Sequence, residues 1–213
     1  MPRVESVARW SVVRCLRQRC VLAALVPLLL GALALPATPT LTRAQHMERF
    51  DAAFRRYTKR YFGVGFDWRH FKAQAMAESD LNPLARSPVG ARGLMQLMPS
   101  TFQAIATVRP NFTSIDDPEW NIAAGILHDR DLWRLWEPVV ADAERPNFMF
   151  ASYNAGEGTI TRAAAIAKAR QLDHATWPSI ELVAPTVPRW RYRETLGYVR
   201  KIGANYEALK RPR

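Results

Sequence analysis

The chain has 213 residues and a formal net charge of +11, from 30 Lys and Arg against 19 Asp and Glu. Hydrophobic residues make up 48% of it, enough apolar surface to offset the entropy of ordering, which excludes a disordered chain. Only 10 Gly are present, at no fixed period, so a collagen-like or low-complexity protein is excluded too, and the length fits one ordinary domain.

The N-terminus reads as separate from that domain. Arg3, Arg9, Arg14, Arg17 and Arg19 precede an apolar run from Val21 to Leu35. At 15 residues the run is shorter than the about 20 that a membrane-spanning helix needs. Ala32-Leu33-Ala34 supplies a small-x-small cleavage site. The expectation is a signal peptide over residues 1–34, export to the periplasm or beyond, and no permanent membrane span. Left uncleaved, the same segment would anchor the protein, and Pro36 just behind the cut is the feature that would slow cleavage. Cys15 and Cys20 both lie before the run, so the exported part carries no disulfide and no lipid-attachment cysteine. Residues 35–45, with Pro36 and Pro39, read as a linker.

Helical periodicity then takes over. Phe50, Phe54, Tyr57 and Tyr61 fall on one face of a helix that Gly63 and Gly65 end. Asp67 is placed to cap a second helix, with Trp68, Phe71 and Ala75 as its buried stripe and an end near Glu78-Ser79. Pro83, Pro88, Gly90 and Gly93 make 80–93 a turn-rich loop. Pro99 opens a third helix, since proline tolerates the first helical turn. Asp117-Pro118 opens another, with Ile122, Ile126, Leu127, Leu132 and Trp133 on its buried side. A further pattern covers Phe148 to Tyr153, and Gly156 and Gly158 break it before a helix at 159–170. Pro178, Pro185 and Pro188 make 178–190 a loop or short turns. The last helix runs from Glu194 to Leu209, with Tyr198, Ile202, Tyr206 and Leu209 on one face. No strand alternation and no repeat emerge, so one all-α domain over about 46–210 is expected.

Glu78 is the residue with chemical promise. It ends an apolar helix, and a carboxyl set against apolar walls resists ionisation and holds a proton near neutral pH. Spacing alone favours the plainer reading, a Glu near a helix end that faces water.

The surrounding residues change that balance. Glu78-Ser79-Asp80-Leu81-Asn82-Pro83, followed by Ser87-Pro88-Val89-Gly90-Ala91-Arg92-Gly93-Leu94-Met95-Gln96-Leu97-Met98-Pro99, resembles the catalytic signature of the Slt-type lytic transglycosylases, enzymes of the SLT domain that cleave peptidoglycan glycan strands. Ala151-Ser152-Tyr153-Asn154-Ala155-Gly156 resembles that family's Ala-Tyr-Asn-Ala-Gly motif, with Ser152 in place of an alanine. Glu194-Thr195-Leu196-Gly197-Tyr198-Val199 resembles its Glu-Thr-x-x-Tyr-Val motif. The three occur in the family's order and span nearly the whole expected domain.

The resemblance implies a lysozyme-like all-α fold with a substrate groove and Glu78 as catalytic acid and base. It implies substrate-side roles for Ser79, Ser87, Gln96, Met98, Tyr153, Asn154, Glu194 and Tyr198. Tyr153 is the residue expected to orient Glu78, and Gln96 to meet an N-acetyl group. Six of them have a plainer alternative: loop-holding for the serines, fold-holding for Asn154, core filling for Met98 and Tyr198, a first-turn acid for Glu194. Asp80 departs from the small residue usual at its position and is not expected to be catalytic. The reaction implied is cleavage of the MurNAc-β-1,4-GlcNAc bond with closure to a 1,6-anhydro end. The alternatives are a hydrolase resembling goose-type lysozymes and a non-catalytic wall-binding module.

Other signals are weaker. His46, His70, His128 and His174 have no metal-ligand spacing, there is no Gly-rich phosphate loop, and neither metal nor cofactor is expected. Arg189, Arg191 and Arg193 and the tail Lys210-Arg211-Pro212-Arg213 are either solvated surface or a means of staying near anionic wall polymers. A nucleic-acid partner is opposed by the export signal and by basic residues not interleaved with aromatics. The short domain suits an enzyme recruited to an envelope-spanning machine to open the wall locally.

Overall fold

A computed structural model describes residues 42–211. The expected signal peptide, most of the linker and the last two residues lie outside the described residues. Thr42 caps α1 (Arg43–Glu48): its hydroxyl accepts from the Gln45 amide, and the Gln45 side chain accepts from the Thr42 amide. This short helix overlaps the end of the stretch read as linker.

Helix α2 (Asp51–Phe62) buries Phe54 and Tyr57 and ends at Gly63, whose φ of 93° needs no Cβ. Helix α3 (Arg69–Ser79) starts under Asp67, which accepts from the Arg69 amide at 3.0 Å. Lys72 of α3 is only 2% exposed and its ammonium meets Asp51 of α2 at 2.5 Å, so the buried charge is paired. Pro99 opens α4 (Pro99–Val108), and Asp117 caps α5 (Pro118–Trp136) by accepting from the Glu119 and Trp120 amides at 2.8 and 3.0 Å. Then follow α6 (Arg145–Ala155), α7 (Glu157–Ala169), α8 (Trp177–Val183), a single 3-10 turn at Ala184–Thr186 and α9 (Tyr192–Lys210).

The expected all-α architecture is what the structure has: among the described residues there is no strand, only isolated bridges of Arg92 with Arg86 and Leu97. One expectation fails. Most of residues 178–190, expected as loop or short turns, belongs to helix α8 (Trp177–Val183) and the 3-10 turn. Pro178 lies in the first turn of α8, where its missing amide has no helical partner to lose. Trp177, Ile180 and Val183 then face inward together.

Helices α3 and α9 pack along one another, α5 packs on α2 and α6, and α6 also meets α7 and α9. Phe54, Phe71, Ile122, Ile126, Phe148, Met149 and Ile160 are fully buried between them, each worth about 1.5–3 kcal/mol relative to exposure. The core also reaches into the connection between α3 and α4, because Leu94, Met95 and Leu97 are buried there.

A single polar residue fixes that connection. Asn121, in the first turn of α5, is 0% exposed. Its Nδ2 donates to Arg92 O at 2.9 Å and Ile115 O at 3.0 Å, and its Oδ1 accepts from the Met95 amide at 2.8 Å. Gly93 passes directly over it with φ of 75°, and a Cβ there would lie 2.5 Å from Nδ2. Gly125, one turn along α5, makes room for Met95 in the same way, at 2.7 Å from its Cγ.

Gly93→Ala therefore combines a left-handed backbone with a clash against a side chain that cannot move without losing three hydrogen bonds. The expected loss is about 2–4 kcal/mol, read as a lowered denaturant midpoint. A midpoint close to the parent's would mean that the connection is not clamped on Asn121.

Candidate active site

Glu78 lies in the last turn of α3, partly exposed, where the chain leaves the core for the Pro- and Gly-rich connection. Its Oε1 accepts from the Tyr198 hydroxyl of α9 at 2.5 Å, a contact between residues 120 apart in sequence. Among the described residues no hydrogen bond to Oε2 is formed, so one oxygen is held and the other is free to face a ligand. Lys201, one turn beyond Tyr198 on α9, donates to Ala77 O at 2.9 Å and places a positive charge near the carboxyl.

These contacts compete over the proton. Burial dominates and pushes the Glu78 carboxyl up to about 7, against smaller downward pulls from the Tyr198 hydrogen bond and the Lys201 charge. A carboxyl that titrates there can donate a proton and accept one back at neutral pH. Burial, the Glu78 charge and the hydrogen bond to it push the Tyr198 phenol well above its usual range, so Tyr198 stays a neutral donor.

The remaining expected residues divide by what their polar atoms touch. Ser79 donates to Leu94 O at 2.8 Å and to Ala75 O at 3.2 Å, tying the end of α3 to the connection. The Ser87 hydroxyl accepts from the Ala91 amide at 2.9 Å. Gln96 Nε2 donates to Gly93 O at 2.9 Å and Ala85 O at 3.2 Å. Tyr153 donates to Met95 O at 2.8 Å, so the hydroxyl expected to orient Glu78 is committed to the backbone and Tyr198 makes that contact instead. Met98, before α4, is 40% exposed and so is not core filling. Asn154 and Glu194 line a cavity of about 200 Å³ with Thr159, Arg189, Trp190 and Thr195. Glu194 precedes Tyr198 by one turn of α9, on the same face, and pairs with Arg191 at 2.9 Å. Asp80 is exposed in a left-handed C-cap with φ of 52°, and does not join Glu78.

A larger cavity of about 330 Å³, lined by Met47, Asp51, Trp68, Lys72 and Leu209 among others, excludes Glu78. Glu78 lines neither of these two cavities. Sequence reasoning passed over Asn121, Asp129 and Lys201. Asn121 and Asp129 had a signal: with Gly125 they sit at i, i+4 and i+8 on one face of α5, a polar and small stripe among the apolar residues that the helix buries. Lys201 had none.

This is an α-helical domain with a carboxyl, Glu78, pushed up to about 7 and, among the described residues, with no second carboxylate hydrogen-bonded to it. The family description "Transglycosylase SLT domain" matches residues 55–175. The chain belongs to that family. Among its relatives is a membrane-bound lytic murein transglycosylase F of Shewanella pealeana, 30% identical over 152 residues, covering 71% of this chain and 30% of the relative. The protein of that name from Shewanella woodyi is 32% identical over 189 residues, covering 77% of this chain and 38% of the relative. The fold is similar to that of the 70 kDa soluble lytic transglycosylase SLT70 of Escherichia coli, with TM-score 0.57 and 29% identity over 77% of this chain and 26% of that one. The chain thus spans roughly a third of the length of these curated relatives.

Two outcomes follow from the burial of Glu78. The folded state holds this proton more tightly than the unfolded chain, so the group costs nothing below pH 4.5 and destabilises the fold progressively as pH rises from 4.5 through about 7. The accumulated cost is at most about 3 kcal/mol. Glu78→Gln should match the parent's denaturant midpoint at low pH and exceed it above neutrality. A gap that does not change with pH would remove the burial argument. Tyr198→Phe takes away the donor that favours the carboxylate, so the Glu78 titration, followed by carbon NMR of the carboxyl, should move upward; a downward move would contradict the assigned contact.

Proposed function

We propose that the protein is an exported peptidoglycan lytic transglycosylase in which Glu78 alone serves as general acid and then general base. The observation that carries the reading is a carboxyl pushed up to about 7, held on one oxygen by Tyr198 and open on the other. The family, the relatives' names and the likeness to SLT70 support it.

The steps are those that the family resemblance implies for a single acid–base carboxyl. Protonated Glu78 donates to the glycosidic oxygen between N-acetylmuramic acid and N-acetylglucosamine, and the C1–O bond breaks. The muramoyl N-acetyl carbonyl oxygen bonds to C1 and shares the developing positive charge. Glu78, now a carboxylate, takes the proton of the muramoyl C6 hydroxyl. O6 displaces the acetamido oxygen at C1, and the 1,6-anhydro ring closes. No water is consumed, and Glu78 ends protonated as it began. Most glycosidases need a second carboxylate, about 5–5.5 Å or 6.5–9.5 Å from the first; here the substrate's own acetamido group takes that part.

The same reading assigns 1–34 to a signal peptide, 35–45 to a linker and 46–210 to the catalytic domain. It places the protein in the periplasm or outside the cell, acting on glycan strands and recruited to an envelope-spanning machine. Among the described residues no helix is long and apolar enough to cross a membrane. Met98, Asn154 and Glu194 expose side chains for saccharide contact, while Ser79, Ser87, Gln96 and Tyr153 shape the connection beneath it.

Purified protein and its Glu78→Gln variant should be incubated with peptidoglycan and the fragments weighed by mass spectrometry. Anhydromuropeptides from the parent are expected, with a loss of at least about a thousandfold in the variant, since the one proton-transfer group is gone. Fragments heavier by one water would make it a lysozyme-like hydrolase, and no cleavage by either protein would leave a wall-binding module.

A further inference from the structure

Behind Glu78 lies a second acid that the reaction above does not use. Asp129 of α5 and Gln74 of α3 are both 0% exposed. Gln74 Nε2 donates to Asp129 Oδ1 at 3.4 Å. Their other oxygens, Gln74 Oε1 and Asp129 Oδ2, are buried with no hydrogen-bond partner. A carboxylate is acceptor only, so an ionised Asp129 leaves two acceptor oxygens unsatisfied in the core. One proton resolves both. On Oδ2 it turns that oxygen into a donor, and a carboxylic acid then matches a carboxamide in both directions, N–H to O=C and O–H to O=C.

The charges around the pair argue the same way. The groups that act on Asp129 are Gln74 and Glu78 from α3, and Asp129 in turn acts on Tyr153 of α6 and Tyr198 of α9. None is a cation. Lys201 acts on Glu78, and its charge is not among the influences on Asp129. Position adds a function. Gln74 and Glu78 are one helical turn apart and share a face of α3, so whatever holds Gln74 also sets where Glu78 points.

We propose that Asp129 is a neutral carboxylic acid whose hydroxyl donates to Gln74 Oε1, and that this closed pair is the positioning element that holds the Glu78 face of α3 on α5 without adding a second negative charge. Burial pushes the Asp129 carboxyl well above the usual carboxylate range; the hydrogen bond from Gln74 opposes this, and the Glu78 charge adds to it. An ionised Asp129 would push the Glu78 titration further upward and weaken Glu78 as the acid that donates in the first half-reaction. The role in catalysis rests on the function proposed above, whereas the proton on Asp129 does not.

The first test is therefore spectroscopic. Infrared spectra of the parent and of Asp129→Asn are compared at a pH above the Glu78 titration. A protonated-carboxyl C=O band is expected in the parent and absent from the variant, and it should persist in Glu78→Gln. A carboxylate signal in its place overturns the proposal. The second test uses the fact that the Asn carboxamide repeats the acid's donor and acceptor pattern. Asp129→Leu strands both polar ends of Gln74; it should lower Tm and lower kcat about tenfold with little change in KM. Asp129→Asn should rescue both and leave the basic limb of the pH–rate profile in place. A basic limb moved to lower pH in the Asn variant would mean that a negative charge had been removed, and the proposal fails. If Glu78→Gln retained activity, the proposed function would fall while the infrared band still decided the state of Asp129.

Discussion

Glu78 and Tyr198 are 120 residues apart in sequence and 2.5 Å apart in space, and the fold around them is arranged to make that contact hold. The carboxyl is at the end of α3, where the helix's unpaired carbonyls already disfavour a negative charge. Burial between α3, α9 and the connection after α3 disfavours it further. Left to those forces alone the group would stay protonated and could only donate. The phenol of Tyr198 and the ammonium of Lys201 restore enough stability to the carboxylate for the proton to leave and return. Because α3 and α9 pack along one another, that balance is set by the helix pair and not by a mobile loop.

The connection after α3 has to be as fixed as the helices, since it forms the other wall beside the carboxyl. It contains two glycines at positive φ, Gly90 and Gly93, and two prolines, a composition that could wander. It is held because Leu94, Met95 and Leu97 are drawn into the core and because Asn121 bonds to both sides of Gly93. The polar interior of α5 is thus a scaffold for the wall. Asn121 fixes the connection, Gly125 admits Met95, and Asp129 meets the turn of α3 that carries Glu78. Three residues on one helical face serve three parts of one site.

Much of this was legible in the sequence where the signal is local. Gly63, Asp67, Pro99, Asp117 and Gly156 mark helix ends by the backbone chemistry that each allows, and the structure ends or starts helices beside each of them. Glu78 was legible through its motif. The failures share a cause as well. Pro178 was read as a helix breaker when it sits in a first turn, where proline has no amide bond to lose, and only the packing of Trp177, Ile180 and Val183 shows that a helix continues. The choice between Tyr153 and Tyr198 as partner of Glu78 depends on how α6 and α9 approach α3, and nothing local encodes that. Asn121 and Asp129 were hidden because a search for apolar periodicity treats a polar residue in the stripe as noise.

The division among the motif residues carries a further consequence. Ser79, Ser87, Gln96 and Tyr153 resemble substrate-contacting positions, yet each has a side-chain polar atom bonded to main chain of the same connection or its neighbouring turn. A sequence motif can persist because it builds a rigid bed as well as because it touches a ligand, and the two uses leave different marks. A contact residue must present an unsatisfied polar atom or an exposed face; a bed residue must not. By that criterion Met98, Asn154 and Glu194, which are exposed, and Glu78, bonded through Oε1 alone, fall on the contact side, and the four bonded residues on the bed side. On the function proposed above, saccharide recognition depends on where the carbonyls and amides of 85–97 are fixed, and so on the hydrogen bonds beneath them as much as on the exposed side chains.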